Sequence, residues 1–265
     1  MVEVVMTIAI KGGSEVRYTR FSDIILKWLD GMVIIFRPCH SMLQIHFIAK
    51  LMFCTQDIFA AGSETSATAL VWAMAELIKN PKAMKRATAE VRSVFSSHSR
   101  VTEQALGELR YLQLVIRETF RLHPPIPLLL PRQAREPCRV LGYDISQGTM
   151  VFVNVWALGR DERYWSGDPE EFRPERFEEA SEVDFRGSDF ELLPFGAGRR
   201  ICPGMMFGLA NVELPLASLL FHFDWEAPGV ADPAEFDMNE TFGLIVGRKG
   251  GLLLRPIVRV PVPGI

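Results

Sequence analysis

Residues 195–204 read Phe-Gly-Ala-Gly-Arg-Arg-Ile-Cys-Pro-Gly, and this loop is the most informative stretch of the chain. Proline is a favourable first residue of a helix, so Pro203 predicts that Cys202 caps the helix that follows. A sulfur at that position faces unpaired backbone N–H groups and the positive end of the helix dipole. Both features favour the thiolate, which is the form of cysteine that binds metals. The sequence therefore predicts Cys202 as a metal ligand.

The other residues of this loop suit a flat, charged ligand. Gly196, Gly198 and Gly204 allow tight turns and a close approach of the backbone, because they have no Cβ to clash. Arg200 presents a fixed fork of donors that matches a carboxylate. Phe195 is expected to shield the sulfur from water.

The pattern F-x-x-G-x-R-x-C-x-G resembles the haem-binding loop of the cytochrome P450 family, the haem-thiolate monooxygenases. Its fixed positions coincide by chance on the order of once in ten thousand. The resemblance implies haem b (iron protoporphyrin IX) as cofactor, with Cys202 on the iron and Phe195, Gly198, Arg200 and Gly204 around it. The alternative is an ordinary buried cysteine on a glycine loop, since free cysteines are often buried.

Arg132 is a further candidate for the haem site. It follows Pro131, just after an apolar run. This place matches a basic position that contacts a haem propionate in many members of the family. The alternative is a plain surface arginine without a ligand.

A second motif is Glu-Thr-Phe-Arg at residues 118–121, which places a carboxylate and a guanidinium on one face of a predicted helix. About two E-x-x-R strings are expected by chance in this composition. The chain has three of them, the others being residues 136–139 and 170–173. The bare string is therefore uninformative, and only its surroundings can separate the three.

The surroundings favour residues 118–121. His123-Pro124-Pro125 follows directly, as in the P450 family. In that family the Glu and Arg join the Arg of a P-E-R-F segment in a buried charge network, which here implies Glu118, Arg121 and Arg176. The expected role is structural, because such a network would hold the cysteine loop in place. The alternative is an exposed ion pair of small energetic value. His123 itself is expected to be a packing residue.

Residues 61–65 read Ala-Gly-Ser-Glu-Thr within a predicted helix. Gly62 costs about 1 kcal/mol relative to alanine in a helix interior, which suggests that it serves a purpose. The stretch resembles the oxygen-activation motif of the P450 family. The resemblance implies that Glu64 and Thr65 deliver protons to bound oxygen. The alternative is that Thr65 bonds back to a helix carbonyl while Glu64 faces solvent.

Three segments are expected to reach the substrate pocket by resemblance to the family. The first precedes Gly62, the second follows His123-Pro124-Pro125, and the third is the tip of the last hairpin. The residues assigned to the pocket are Ile58, Phe59, Ile126, Leu128, Phe242 and Leu244. All six are apolar, so a lipophilic small molecule such as a terpenoid or a phenolic is the expected substrate.

Composition excludes several other classes of protein. Of the 265 residues, 48% are apolar and 23% are charged, which is typical of a globular chain rather than a disordered one or a disulfide-stapled miniprotein. The net charge of −3 gives no indication of a nucleic-acid partner. The four cysteines include no C-x-x-C pair, which argues against a zinc or iron–sulfur site.

Apolar periodicity and stop signals predict four helices, over residues 57–78, 81–95, 103–122 and 205–221, with Thr102 as the cap of the third. Strand-like runs cover residues 127–130, 139–141 and 150–155, residues 166–195 read as an ordered loop, and residues 241–255 are predicted to form a terminal hairpin. The fold class is therefore mainly α (α+β), with long helices and a small segregated sheet. The resemblance implies the C-terminal half of the cytochrome P450 fold.

The resemblance covers residues 57–259, as the C-terminal part of a P450 domain, and residues 260–265 form a tail. Residues 1–56 form a leader without a recognisable motif, in which no apolar run reaches the ~18 to 20 residues of a membrane span. The chain is thus expected to lack the anchor that places family members at the endoplasmic reticulum membrane. Without further pocket walls, apolar residues of the helix at 57–78 are expected to face water: Phe59, Leu70, Val71 and Met74.

By resemblance, the function is that of a haem-dependent monooxygenase that inserts one oxygen atom of O2 into a lipophilic small molecule. The electrons are expected from an NADPH-dependent flavoprotein reductase. One alternative is a truncated, non-catalytic fragment of such an enzyme. Another is a haem-thiolate isomerase or dehydratase, against which the Glu64–Thr65 pair argues. The chain alone is expected to be inactive.

Overall fold

The structure is a computed structural model that describes residues 42–179 and 183–262, with side chains described from residue 55 onward. The leader expected over residues 1–56 therefore lies mostly outside the described residues. The last three residues of the expected tail, 263–265, also lie outside them.

The described residues contain six α-helices. They are α1 Met42–Lys79, α2 Pro81–Val94, α3 Arg110–Leu122, α4 Val155–Leu158, α5 Arg176–Glu179 and α6 Met205–His222. Three predicted helices are confirmed as α1, α2 and α6, and the third is confirmed as α3 only from Arg110 onward, because Thr102 makes no side-chain cap. The stretch before α3 is a separate 3₁₀ helix, Glu103–Glu108. The predicted loop over residues 166–195 contains the single turn of α5.

The same described residues contain six short strands, which form three antiparallel pairs. The strands are β1 Arg132–Gln133, β2 Cys138–Val140, β3 Tyr143–Ile145, β4 Met150–Val151, β5 Phe223–Glu226 and β6 Arg255–Val258. β1 pairs with β4, β2 with β3, and β5 with β6. The strand predicted over residues 150–155 ends early, because Asn154 caps α4 by accepting the Ala157 N–H. The mainly helical class with small separate sheets is confirmed.

Residues 127–130, predicted as a strand, form a loop instead. Pro127 has no N–H to donate to a partner strand. Leu129 has a φ of 51°, which lies outside the strand region. The carbonyls of this loop accept N–H groups from the segment before α4, with Val153 N bonded to Leu128 O at 3.3 Å.

The predicted terminal hairpin over residues 241–255 is wrong in its pairing. An isolated bridge joins Glu240 to Arg248, and the Thr241 N–H donates to Gly247 O at 2.8 Å. These bonds close a turn within residues 240–248. The chain then leaves this turn, and β6 pairs with β5 at the end of α6 rather than with its own neighbour in sequence.

The core lies where α1, α2, α3 and α6 pack together. Leu70 and Met74 of α1 are buried in it, beside Leu112 of α3 and Leu216 of α6. The expectation that Leu70 and Met74 face water is therefore wrong, because α3 and α6 already cover that side of α1. Phe59, nearer the start of α1, is 51% exposed as expected.

Helix α3 begins without a capping side chain of its own, since Leu109 occupies the N-cap position. Glu90 of α2 supplies the cap from outside. Its carboxylate accepts the N–H of Tyr111 at 2.8 Å and of Leu112 at 2.9 Å. Two of the unpaired donors at the start of α3 are thereby satisfied, and their positive potential meets a carboxylate.

Among the described residues, α6 is the one helix whose length and composition would allow it to cross a membrane. It contributes Leu209, Val212, Leu216 and Leu220 to the core. A core helix of a globular domain passes the same test of length and apolar content, so this feature carries no assignment of a membrane span.

Candidate functional site

The loop before α6 presents a free thiol on the surface. Cys202 is exposed and forms no disulfide. Its N–H donates to Phe195 O at 2.9 Å, and Ile201 N–H donates to Gly198 O at 3.1 Å, so the loop is closed on itself. Gly198 has a φ of 64°, a backbone conformation that suits glycine best. The buried-cysteine alternative is therefore wrong.

The predicted helix cap is also wrong. Helix α6 begins at Met205, and Gly204 is its N-cap. Pro203 and Gly204 form a turn that separates Cys202 from the helix. The sulfur still lies near the helix start, because a Cβ built on Gly204 would be 4.0 Å from Cys202 Sγ.

Phe195 fastens the cysteine loop to the core. Its ring packs edge-on against Phe120 of α3, with centroids 5.1 Å apart, and against Phe185, at 5.6 Å. Phe195 Cε1 also lies 3.9 Å from where a Cβ on Gly208 of α6 would stand. The loop is thus attached to two core helices, while the thiol at its other end stays open.

The structure brings the Ala61–Thr65 motif to the same neighbourhood. A Cβ on Gly62 would lie 4.0 Å from Phe207 Cε1 of α6, and nothing else comes that close. Ser66 Oγ lies 3.8 Å from the corresponding position on Gly208, the glycine that Phe195 also touches. One stretch of α1 therefore runs past the first turn of α6, beside the cysteine loop.

Within that motif, Glu64 and Thr65 have the geometry of the simpler alternative. Thr65 Oγ1 donates to Ala61 O at 2.6 Å, a bond within its own helix. Glu64 is exposed. The hydroxyl proton of Thr65 is thereby used in the helix, and only the lone pairs of Oγ1 face outward.

The two candidate propionate partners differ in burial. Arg200 is exposed at the end of the 3₁₀ turn Gly198–Arg200. Arg132 is half-buried in β1, opposite Val151. The loop that leads to β1 touches the cysteine loop, since Leu129 Cδ1 lies 3.7 Å from where a Cβ on Gly196 would stand.

Apolar side chains that face solvent surround this region. Five of the six assigned pocket residues are exposed, and Ile126 is half-buried. The exposed members are Ile58, Phe59, Leu128, Phe242 and Leu244. Met206 and Phe207 on the first turn of α6 are exposed as well. A group of exposed apolar side chains of this kind indicates a surface that binds a ligand or another protein surface.

The predicted charge network is assembled and fully buried. Arg121 Nε and Nη2 donate to the two oxygens of Glu118 at 2.7 and 2.8 Å, a bidentate pair with both side chains 0% exposed. Arg176 Nε donates to Glu118 Oε1 at 2.8 Å, and its side chain is 4% exposed. The exposed-pair alternative is therefore wrong.

Backbone carbonyls satisfy the remaining donors of the network. Arg121 Nη1 donates to Gly159 O at 2.5 Å and to Pro169 O at 2.6 Å. Arg176 donates to Ser166 O at 3.2 Å and to Asp168 O at 3.1 Å. The network thereby holds the irregular segment after α4 against α3.

Sequence reasoning missed Gly159, which makes this contact geometrically possible. A Cβ at Gly159 would lie 2.3 Å from Arg121 O, closer than real Cβ atoms approach backbone oxygen. The backbone at Gly159 is ordinary, with φ −66° and ψ −11°. The Leu-Gly-Arg sequence looks like a common helix end, so nothing local signals the requirement.

The residues present fit a haem. Cys202 supplies a thiol, Arg200 and Arg132 supply guanidinium groups for carboxylates, and a Cβ on Gly198 would meet no heavy atom within 4 Å. No cluster of three or more metal-binding side chains occurs in the described part of the chain. A haem iron can be held by one protein ligand, so a single thiolate suffices.

Comparison with known proteins agrees with this chemistry. The profile of the family described as Cytochrome P450 matches residues 48–255. The chain is 59% identical over 202 residues to desmethyl-deoxy-podophyllotoxin synthase of Sinopodophyllum hexandrum, covering 76% of this chain and 39% of that protein. It is 58% identical over 198 residues to 5-epiaristolochene 1,3-dihydroxylase of Nicotiana tabacum and 55% identical over 198 residues to premnaspirodiene oxygenase of Hyoscyamus muticus, covering 75% of this chain and 39% of each relative.

The chain belongs to the cytochrome P450 family, and its relatives are of the plant type. It spans about two fifths of the length of the curated relatives it matches. The resemblance read from the cysteine loop is therefore confirmed, and so is the assignment of the fold to part of the P450 architecture.

Proposed function

We propose that residues 57–259 are the haem-binding part of a monooxygenase that inserts one atom of O2 into a lipophilic small molecule. The observation that carries this proposal is the closed loop that exposes the Cys202 thiol while Phe195 anchors it to two core helices. Such a loop presents a sulfur at an open surface, where it would be able to bind the iron of a haem.

Residues of the loop, together with Arg132 of β1, are proposed to hold haem b. Cys202 Sγ, as thiolate, is the proposed iron ligand, and Arg200 and Arg132 are the proposed partners of the propionates. Gly198 and Gly204 leave the space that a flat ring needs. When bound, the haem supplies the activation of O2 and the oxygen transfer, while the protein supplies ligation, orientation and proton access.

Protons are proposed to arrive through α1. The Glu64 carboxylate is exposed and therefore in contact with solvent. Thr65 Oγ1 has its own proton fixed on Ala61 O, so its lone pairs are oriented to accept a hydrogen bond from water. We assign Thr65 the task of orienting that water and Glu64 the task of supplying its proton.

The proposed substrate is apolar, such as a terpenoid or a phenolic. The support is the set of exposed apolar side chains contributed by α1, the loop after α3 and the turn at residues 240–248. Several relatives are named as hydroxylases or oxygenases, each of a different molecule. The proposed electron donor is an NADPH-dependent flavoprotein reductase, and the proposed location is the endoplasmic reticulum membrane.

The ligand assignment is tested with two cysteine variants of the full chain, produced with haem supplementation. Cys202→Ala should abolish the long-wavelength absorption of the reduced carbon-monoxide complex that thiolate ligation gives. Cys138→Ala is the matched control, because Cys138 is also free and exposed, and it should keep that absorption. A Cys202→Ala protein that retains the band would overturn the assignment.

A second candidate function is a haem-binding part without turnover of its own. It is favoured by the complete exposure of Phe242, which leaves that pocket residue without a covering wall. Under this candidate the 265-residue chain yields no NADPH-dependent product from lipophilic substrates in the presence of reductase. Near-equimolar haem together with coupled turnover would exclude it. Product formed without consumption of O2 and NADPH would instead favour the isomerase or dehydratase.

A further inference from the structure

A buried polar cluster joins the end of α1 to the loop after α3. His123 Nε2 lies 2.6 Å from Glu76 Oε1, and the two side chains are 7% and 6% exposed. Glu76 Oε2 accepts a hydrogen bond from Asn80 Nδ2 at 3.0 Å. The His123 ring also stacks on Trp72, with centroids 4.0 Å apart and planes 6° from parallel. The imidazole is thus fixed both in its plane and along one edge.

The same cluster reaches the turn at residues 240–248. Trp72 Nε1 donates to Val246 O at 3.0 Å, and Val246 N–H donates to Pro125 O at 2.9 Å. The other imidazole nitrogen, His123 Nδ1, is buried without a hydrogen-bond partner and lies 3.8 Å from Glu240 Oε1. The interaction with the His123 imidazole holds the pKa of the Glu240 carboxyl below its ordinary value. Both ends of the turn therefore face the Trp72–His123 pair.

We propose that His123, held by Glu76 and stacked on Trp72, is a positioning residue that fixes the turn at residues 240–248 against the loop at residues 124–130. The two segments carry four of the proposed substrate-contacting residues, Ile126, Leu128, Phe242 and Leu244. The His123 cluster thereby sets the spacing between these two walls of the pocket. This inference rests on the proposed function for its consequence, although the positioning itself does not require turnover.

The turn depends on this cluster because its tip has little else to hold it. Phe242 and Leu244 project into solvent. The internal bonds between Thr241 and Gly247 shape the turn without attaching it to the core. Attachment comes from Val246, whose two backbone groups are bonded to Trp72 and to the residue that begins the loop after His123-Pro124. A disturbance of the imidazole therefore transmits to both segments together.

Hydrogen–deuterium exchange on the full chain tests the positioning without any need for haem. His123→Phe keeps a flat ring on Trp72 and removes the donor to Glu76, so the Val246 and Thr241 amides should exchange about tenfold faster. His123→Gln restores a donor and should bring exchange back to within about threefold of the natural protein. His98→Gln is the control, because His98 is exposed, and it should change neither amide.

Where His123→Phe does not fold, Trp72→Phe tests the same attachment, because it keeps an aromatic ring beside His123 and removes the hydrogen bond to Val246 O. Faster exchange confined to residues 240–248, with α6 unchanged, supports the proposal. Unchanged exchange in that turn overturns it. An equal rise over α6 and the turn also overturns it, because His123 would then serve general stability alone.

A second readout applies to the haem-loaded enzyme, with limonene as the lipophilic probe. Trp72→Phe should change the ratio of oxidised positions by about twofold or more, because the walls of the pocket move but the haem loop does not. An unchanged ratio with faster exchange in the turn would limit the cluster to folding and overturn its role in the pocket. A natural protein that binds haem without turnover corresponds to the second candidate function, and the exchange result then decides the positioning by itself.

Discussion

The Glu118 network and the Cys202 loop place their reactive groups in opposite environments. In the network, no side chain is more than 4% exposed, and the guanidinium groups are surrounded by oxygen acceptors. In the loop, Cys202 and Arg200 are exposed, and the backbone rather than the side chains closes the structure. The first arrangement can contribute only to folding, and the second is open to a ligand.

The difference predicts that stability and ligand binding respond to separate substitutions. A buried charge that loses its partner has no water to replace it, so the whole protein is destabilised. An exposed thiol that is removed leaves nothing unsatisfied. Variants in the two regions should therefore rank in opposite order for unfolding free energy and for haem ligation.

The largest expected effect is that of Arg121→Ala. The substitution leaves Glu118 buried with one fewer partner and frees the carbonyls of Gly159 and Pro169, so the free energy of unfolding should fall by ~3 to 5 kcal/mol. Arg139→Ala is the control, since Arg139 belongs to another E-x-x-R string and is 73% exposed. Urea denaturation followed by circular dichroism measures both. Equal stability of the two variants would contradict the contrast in burial.

Gly159→Ala should have the next largest effect. Because φ at Gly159 suits alanine, the loss of stability in this variant reports only the collision of the new Cβ with Arg121 O. We expect a destabilisation of ~1 to 3 kcal/mol, typical of overpacking in a site that cannot relax. Gly107→Ala provides the comparison, because a Cβ there meets no heavy atom within 4 Å. Thermal melts that shift equally for both variants would rule out this packing requirement.

Asp224 is less buried than the Glu118 network and less exposed than the Cys202 loop, and it should have a smaller, pH-dependent effect on stability. Burial pushes the pKa of its carboxyl upward, but hydrogen bonds from Arg259 and Arg92 outweigh it and lower the pKa below the ordinary 3.8. The pair with Arg92 spans 2.8 Å, and both side chains are about one third exposed. Stability from Asp224 is thus fully present above pH 3.8 and is lost as the pH falls through the lower folded pKa.

Asp224→Asn should therefore cost no more than about 1 kcal/mol at pH 7, because solvent screens the pairs. The difference in unfolding free energy between the two proteins should narrow as the pH is lowered from 5 to about 2. Urea titrations across that range measure it. Asp232→Asn serves as a control for removing a carboxylate in the same region, since Asp232 is exposed and bonds only to a nearby backbone N–H. A difference in unfolding free energy that widens as the pH falls would show that folding does not lower the pKa of Asp224.

The smallest effect on stability is expected for Cys202→Ala. Its side chain is exposed, and its backbone bond to Phe195 O survives the substitution. The free energy of unfolding of the haem-free chain should stay within about 0.5 kcal/mol of the natural protein, while thiolate ligation is lost. A large loss of stability without haem would show that the thiol packs into the protein and is not presented to a ligand.

The parts of this molecule that the sequence predicted are those with local signals. The four long helices follow from apolar spacing and from prolines at their ends, and the cysteine loop follows from a dense pattern in ten consecutive residues. The spacing of Glu118 and Arg121 also predicted that both side chains lie on one helix face. Arg176 could be added only by resemblance, because nothing in its surroundings encodes a partner 58 residues away.

The errors arose where distant partners decide the structure. Thr241–Arg255 looked like a hairpin, yet β6 found its partner in β5, some thirty residues earlier in the chain. Leu70 and Met74 were expected to face water because the packing of α3 and α6 against α1 cannot be read from α1 alone. Gly159 and the His123 cluster were missed for the same reason, since each depends on an approach between segments far apart in sequence.

The cap that Glu90 provides for α3 has a consequence for the order of folding. It joins residues 21 and 22 positions apart, whereas Arg176 meets Glu118 across 58 positions. Closing a shorter loop costs less chain entropy, so contacts of small sequence separation form sooner. Helix α3 also lacks a start signal of its own and gains one only when α2 is beside it. The two helices are therefore expected to nucleate as a hairpin, on which the slower segments that surround the buried arginines later assemble.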